Sequence, residues 1–231
     1  MMDKTINRYI DAAVLYPEMA RKDAREAIKT IINYQSRTAC VRPCDIDIAV
    51  EQTQGTQTEV CVVLGFPHGC GLSEVKALEA KTYIDKGVHE IDMVVNYGFV
   101  RSHEWDLVEN DIRSVSEVTR PAGVILKVIL ETSELSLAQV ARATEIAIKA
   151  QADFVKTSTG FASGSATREV VKTMMDTAKG RIKIKPSGGI RDFARAKMFV
   201  DMGADRLGIG YTSLAAVCGG ESAETASTNK Y

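Results

Sequence analysis

The stretch Ala152-Asp153-Phe154-Val155-Lys156-Thr157-Ser158-Thr159-Gly160-Phe161 opens on alternating side chains and closes on small hydroxyl residues and a glycine. It reads as a strand running over residues 152–158, on which Phe154, Lys156 and Ser158 share one face while Asp153, Val155 and Thr157 share the other. Lys156 then lies beside an aromatic ring, facing inward. An ammonium in that position loses hydration, which favours the neutral amine, and a neutral amine is a nucleophile. A lone lysine whose stem lies on the core while its head reaches water would read the same way, so the surroundings decide.

Outward from that strand the chain alternates strand and helix. Strands are expected at residues 9–15, 38–42, 59–66, 89–96, 124–131, 181–186 and 204–209. Helices are expected at 20–35, 72–86, 105–119, 136–150, 167–178 and 191–202, and the first residues read as a short polar helix. The helix at 20–35 carries Ala24, Ala27, Ile28, Ile31 and Ile32 at helical spacing, and the one at 72–86 is stopped by Gly87. Short strands separated by helices imply right-handed crossovers and a parallel sheet with helices on it. Eight strand-helix units of roughly 25–30 residues imply closure into a single α/β barrel. A doubly wound open sheet is the alternative, weakened because no glycine fingerprint for a dinucleotide follows the first strand. The barrel domain is drawn at 1–218, and 219–231, which has no apolar face, as a mobile C-terminal tail.

Composition narrows the function. With 231 residues, 45% apolar and 26% charged, the chain can bury a sizeable core, and its net charge of −1 offers no basic excess for a nucleic-acid backbone. No apolar run approaches the roughly 20 residues of a membrane span, and the start lacks the apolar centre of a signal peptide, so a soluble, cytoplasmic protein is expected. The five cysteines, Cys40, Cys44, Cys61, Cys70 and Cys218, are odd in number and scattered, which fits reduced thiols. His89 and His103 are isolated, and no metal is expected. Cys40 ends its strand near the barrel mouth, although a buried small hydrophobe is the simpler reading.

Four ionisable residues fall on the inward parity of successive strands: Asp92, Lys127, Lys156 and Lys185. Three cations and one anion among apolar neighbours are costly if they serve stability alone, so they mark a site. Lys156 and Lys185 stand one strand-helix unit apart, at similar height on neighbouring strands. At about 4 Å and an effective dielectric near 20 their repulsion is about 4 kcal/mol, enough to bring one amine towards neutrality. Asp92 can pair with the amine that stays charged and shuttle protons through water. Lys183 shares their parity two residues deeper and reads as a structural cation at the barrel bottom. After the seventh and eighth strands, Pro186-Ser187-Gly188-Gly189-Ile190-Arg191 and Gly208-Ile209-Gly210-Tyr211-Thr212-Ser213 supply glycine-rich turns whose N–H groups can converge on a phosphate.

Glu90-Ile91-Asp92-Met93-Val94, Lys127-Val128-Ile129-Leu130-Glu131-Thr132, the stretch around Lys156 and Lys185-Pro186-Ser187-Gly188-Gly189-Ile190-Arg191 closely resemble the deoxyribose-phosphate aldolases. The likeness runs in order from about residue 39 to 208. It implies a TIM barrel and the reversible cleavage of 2-deoxy-D-ribose 5-phosphate to glyceraldehyde 3-phosphate and acetaldehyde, without metal or other cofactor. It assigns Lys156 as the Schiff-base lysine, Asp92 and Lys185 as the proton-relay pair and Lys127 as a supporting cation. Asp11, Cys40, Thr157, Gly160, Gly188, Gly189, Arg191, Gly208 and Gly210 become the substrate-binding set. In some members of the family a C-terminal tyrosine folds over the site, a role open here to Tyr231. The chain departs from short-chain members at Ala12-Ala13 and Tyr16, and at Gly210-Tyr211, where the bulk of Tyr211 is expected to crowd the phosphate end. Another class I aldolase or transaldolase-like enzyme with a different donor, and a non-catalytic sugar-phosphate-binding barrel, are the competing readings. The oligomeric state is left open, a homodimer included.

Overall fold

A computed structural model describes residues 5–220. Eight parallel strands alternate with helices: β1 Ile10–Val14, α1 Arg21–Asn33, β2 Thr38–Val41, α2 Ile46–Thr53, β3 Glu59–Leu64, α3 Ser73–Asp85, β4 Glu90–Val94, α4 Tyr97–Arg101, α5 Trp105–Thr119, β5 Ile125–Ile129, α6 Leu137–Lys149, β6 Phe154–Lys156, α7 Arg168–Ala178, β7 Lys183–Lys185, α8 Phe193–Asp201 and β8 Leu207–Gly210. A last helical stretch covers 214–220. The strands pair in chain order and β8 closes back on β1, giving the expected TIM barrel. Between β7 and β8 the ring is nearly shut. One bridge, Ser187 with Gly208, joins them, flanked by Gly208 N–H donating to the Pro186 carbonyl at 2.8 Å and Asp205 N–H to the Ile184 carbonyl at 3.1 Å. Among the described residues no helix is long and apolar enough to cross a membrane.

Local sequence accounts for the elements. The strands are rich in Val and Ile and buried on both faces, as a helix-covered parallel sheet requires. Helix α1 buries Ala24, Ala27, Ile28 and Ile31, the stripe its spacing predicts. Helix α6 opens on a reciprocal cap between Ser136 and Gln139. Helix α3 ends before Gly87, whose φ of 88° takes the left-handed turn that lets Val88 N–H reach back to the Tyr83 carbonyl. The Lys76 ammonium joins α3 to the end of β4 and to α5, donating to the Val94 carbonyl at 2.9 Å and to Asp111 at 2.8 Å. Among the described residues three α-helical stretches lie outside the sequence reading: α2, α4 and 214–220, the last of which takes in residues 219 and 220 of the expected tail. Helices α2 and α4 have only 8 and 5 residues, too short for a helical period to stand out.

The main apolar core lies between sheet and helices. A second, small apolar group inside the barrel is formed by Leu15, Cys40, Cys61 and Val63, with Ala13 and Phe66 packed on it. Beside it lies a cluster of buried charged side chains, with Phe154 under the Arg206 guanidinium. That division positions the site.

Candidate active site

The interior charges collect on Asp92 of β4. Its Oδ2 accepts from both Lys156 Nζ and Lys185 Nζ at 2.7 Å, and its Oδ1 accepts from Lys127 Nζ at 2.7 Å. Register explains the convergence. Lys156 is paired with Lys185, and Lys127 with Asp92 and Phe154, so two amines stand at one level and the third lies a layer below. Two further carboxylates and a guanidinium extend the group. Asp11 contacts Lys185 at 2.5 Å and Lys127 at 3.3 Å, and its other oxygen accepts from Arg206 at 2.5 Å and from the Thr38 hydroxyl at 2.8 Å. Glu90 contacts Lys127 at 2.5 Å and Arg206 at 3.1 Å. Four buried cations thus face three buried carboxylates.

This corrects the electrostatic expectation. Repulsion between Lys156 and Lys185 is offset by more than the single pairing expected of Asp92, because its Oδ2 bonds both nitrogens and Asp11 adds a second carboxylate to Lys185. Burial disfavours the charged form of Lys185, but Asp11 and Asp92 outweigh it and hold its ammonium above the usual lysine range. Burial works against Lys127 in the same way, and Asp11 and Asp92 raise it well above that range. Burial likewise disfavours the Asp92 carboxylate, yet Lys127, Lys156 and Lys185 keep it well below its usual range. Lys156 differs from the other amines in its contacts. Among the described residues its one carboxylate contact is Asp92, and like Lys185 it has a face on the cavity.

That cavity, about 190 Å³, opens at the carboxyl ends of the strands. Asp11, Cys40, Lys156 and Lys185 line its floor and sides, with Gly160, Gly188, Gly189, Arg191, Gly208 and Gly210 around the rim. Gly188 and Gly189 have φ of 89° and 71°, and a Cβ on Gly189 would come within 2.9 Å of the Ser165 Cβ, so the turn needs glycine twice. A Cβ on Gly208 would meet the Ser187 Oγ at 2.6 Å, which is why the β8 backbone can approach the Ser187 loop.

Some expected residues fall elsewhere. Asp92 and Lys127 lie beneath the cavity rather than on it. Thr157 does not line it: the hydroxyl donates to the Ser187 carbonyl and accepts from the Ser187 N–H, both at 2.9 Å, so Thr157 fixes the loop after β7. Its parity, opposite to that of Lys156, gave that warning. Tyr211 packs against the sheet-helix core, and Thr212 and Ser213 line the cavity instead, so the expected crowding is absent. Lys183 is exposed at the start of β7, 5.4 Å from the Phe154 ring centre. Tyr231 lies outside the described residues.

Sequence reasoning missed Glu90, Arg206 and Cys61. Glu90 is two residues before Asp92, hence on the same face, and a search for more than one charge per strand would have found it. The aromatic wall was also missed: Phe161, on the rim, meets Phe66 edge to face with centroids 5.2 Å apart. Beside it Glu131, at φ 52°, accepts from the Thr159 N–H and hydroxyl, and burial pushes its carboxyl up. One group of described residues could hold a metal ion, formed by Cys40, Cys61 and Asp92. Chemically, an amine under a cavity with a carboxylate and a second ammonium in contact can add to a carbonyl and exchange protons with it.

A family model described as DeoC/LacD family aldolase matches residues 1–218. A deoxyribose-phosphate aldolase of Streptococcus sanguinis (strain SK36) is 44% identical over 88% of this chain and 91% of its own. Among solved structures, one titled "QR15, an Aldolase" superposes with a TM-score of 0.89 at 35% identity, covering 97% of this chain and 98% of that one. A deoxyribose phosphate aldolase from Aeropyrum pernix, described as having a unique tetrameric structure, gives 0.85 at 28% identity over 95% and 91% of the two chains.

Proposed function

The chain belongs to the DeoC/LacD aldolase family, and from that premise we propose that it cleaves 2-deoxy-D-ribose 5-phosphate reversibly to D-glyceraldehyde 3-phosphate and acetaldehyde. One observation carries the reading: a single buried carboxylate grips two lysines that reach the floor of a glycine-rimmed cavity.

In the cleavage direction the Lys156 amine adds to the aldehyde carbon of the open-chain sugar. The carbinolamine so formed loses water to an iminium. The iminium draws the electron pair of the C2–C3 bond as the C3 hydroxyl gives up its proton. Glyceraldehyde 3-phosphate departs and an enamine remains, which takes a proton at carbon. Water then releases acetaldehyde and restores the amine. Asp92 and Lys185 exchange the protons, because Asp92 Oδ2 touches both Lys156 and Lys185 and so links the two amines. Lys127 holds the far oxygen of Asp92 and fixes its orientation. Burial keeps these charges from water, where they would be worth far less. The sugar phosphate is read at the rim by the N–H groups of Gly188 and Gly189 and of the turn at 211–213, with Arg191 adding charge. Asp11, Cys40 and Gly160 complete the wall. We assign no residue to a dimer, and the reading needs none.

Borohydride with acetaldehyde tests the assignment. A reduced two-carbon adduct is expected on the peptide containing Lys156 in the mass spectrum, and an adduct found only on another lysine refutes the role. Cleavage of fructose phosphates in preference to deoxyribose 5-phosphate would favour a different donor.

A further inference from the structure

Three ligand atoms in the barrel interior converge in a way the proposed reaction does not use. Cys40 of β2 and Cys61 of β3 are register partners, and the Cys61 thiol donates to Asp92 Oδ1 at 3.2 Å. The two sulfurs and a carboxylate oxygen of Asp92 lie within 4.8 Å of one another, on three buried residues. We propose that this triangle is a binding site for a thiophilic divalent cation such as zinc or cadmium, and that filling it inhibits the enzyme.

The size is right. Metal–sulfur bonds of about 2.3 Å and metal–oxygen bonds of about 2.0–2.2 Å in a tetrahedral site put ligand atoms roughly 3.5–3.8 Å apart, a contraction side chains can supply. Cys40 gives access, because it lines the cavity while Cys61 lies fully buried behind it. Three protein ligands leave a fourth position for water.

Charge favours a soft ion over a hard one. As each sulfur–metal bond forms, its thiol proton leaves to solvent, so two thiolates cancel the two charges of the ion. The interior, with its excess of cations, gains none. Magnesium or calcium, which prefer oxygen ligands, would leave the thiols protonated and add two positive charges. The Lys127 ammonium, 3.3 Å from the Cys61 sulfur, steadies the thiolate. Without metal, burial pushes the Cys61 thiol up and keeps it neutral.

Inhibition follows from shared lone pairs. The Asp92 oxygen nearest the sulfurs is the one that accepts from Lys127, and turning it to a metal pulls the carboxylate away from Lys156 and Lys185.

Cadmium titration of the full chain, followed by thiolate-to-cadmium absorption in the ultraviolet, tests binding without turnover. Its outcome is therefore distinct from failure of the aldolase reading. One equivalent is expected to bind, with parallel loss of activity that a chelator restores. In Cys61→Ala and Cys40→Ala the concentration giving half inhibition, taken against each variant's own rate, should rise at least about tenfold, since even an outer-shell loss costs that much. Circular dichroism checks that these variants fold, and Cys61→Ser, closer in size, repeats the test if one does not. Cys44→Ser and Cys70→Ser, which remove exposed thiols, should leave absorption and inhibition intact. Absorption that persists in folded Cys61 variants or vanishes in Cys44→Ser or Cys70→Ser overturns the proposal, as does equal inhibition by magnesium.

Discussion

Replacing Lys156 with methionine and Asp92 with asparagine should move stability in unequal amounts while both destroy activity. The four buried cations Lys127, Lys156, Lys185 and Arg206 face the three carboxylates Asp11, Glu90 and Asp92. Lys156→Met keeps the side-chain volume and leaves three cations on three carboxylates. Asp92 retains two ammonium partners, so the cost should stay within about 1.5 kcal/mol, the range of a volume-conserving change. Asp92→Asn removes the acceptor shared by three lysines and leaves four cations on two carboxylates. Breaking a buried ionic network from one side costs about 3–5 kcal/mol. For a domain of this size that is a fall in Tm of about 6–20 °C. The assay pairs calorimetry or urea unfolding with retro-aldol turnover. Lys156→Met should lose on the order of 10⁴-fold or more in kcat, as loss of a nucleophile does. Asp92→Asn should lose about 10²–10⁴-fold, as loss of a proton-transfer group does. A Lys156→Met protein as unstable as Asp92→Asn would refute the charge argument, whatever its activity.

Thr157→Val removes the two Thr157 hydrogen bonds to Ser187 and leaves its N–H without that partner, while the carbonyl keeps the Ala166 N–H, at about 1–3 kcal/mol. KM for the phosphorylated sugar should rise several-fold with kcat held within about twofold, whereas an equal fall in kcat would place Thr157 on the reacting atoms. Stability should be flat between about pH 5 and pH 7.5, above which the unfolded chain starts to release the Cys61 proton that burial retains in the folded one. Below that window the contribution of Asp11 and Asp92 is lost. Burial disfavours their charged forms but the neighbouring cations hold them below the usual carboxylate range, so the unfolded chain takes up protons first. Above it the contribution of Lys127 and Lys185 is lost, because they are raised and the unfolded chain releases protons first. Glu131 and Asp111, which burial pushes up, act in the opposite sense in acid. Urea midpoints against pH, with Asp92→Asn showing the weaker acid fall, provide the check.

The barrel was legible because strand and helix differ in period, and eight units of near-constant length admit few closures. Strand ends were less so. Residues 152–158 read as one strand, but β6 spans only Phe154–Lys156, although the Thr157 N–H still donates to the Lys185 carbonyl and its carbonyl accepts from the Thr132 N–H. At the site, Lys156, Lys185 and Asp92 stood out as charges on apolar strands. Their partners did not. Arg206 lies within the strand expected at 204–209, where an arginine reads equally well as a strand-end cation reaching water, and Cys61 looks apolar until a carboxylate and an ammonium are found beside it. The balance of charge around Lys156 depends on those partners, so sequence alone overstated the repulsion.

The narrow joint between β7 and β8 has a consequence for ligand response. A hoop of eight staves is weakest where two of them touch at a single bridge, and here that gap runs directly under the rim formed by Ser187–Gly189 and the 208–213 loop. A phosphoryl group held by both loops would act as a clasp across the gap. The amides of Asp205 and Gly208, which donate across it, would then exchange with deuterium more slowly when the sugar phosphate is bound, while amides on the far side of the ring kept their rates.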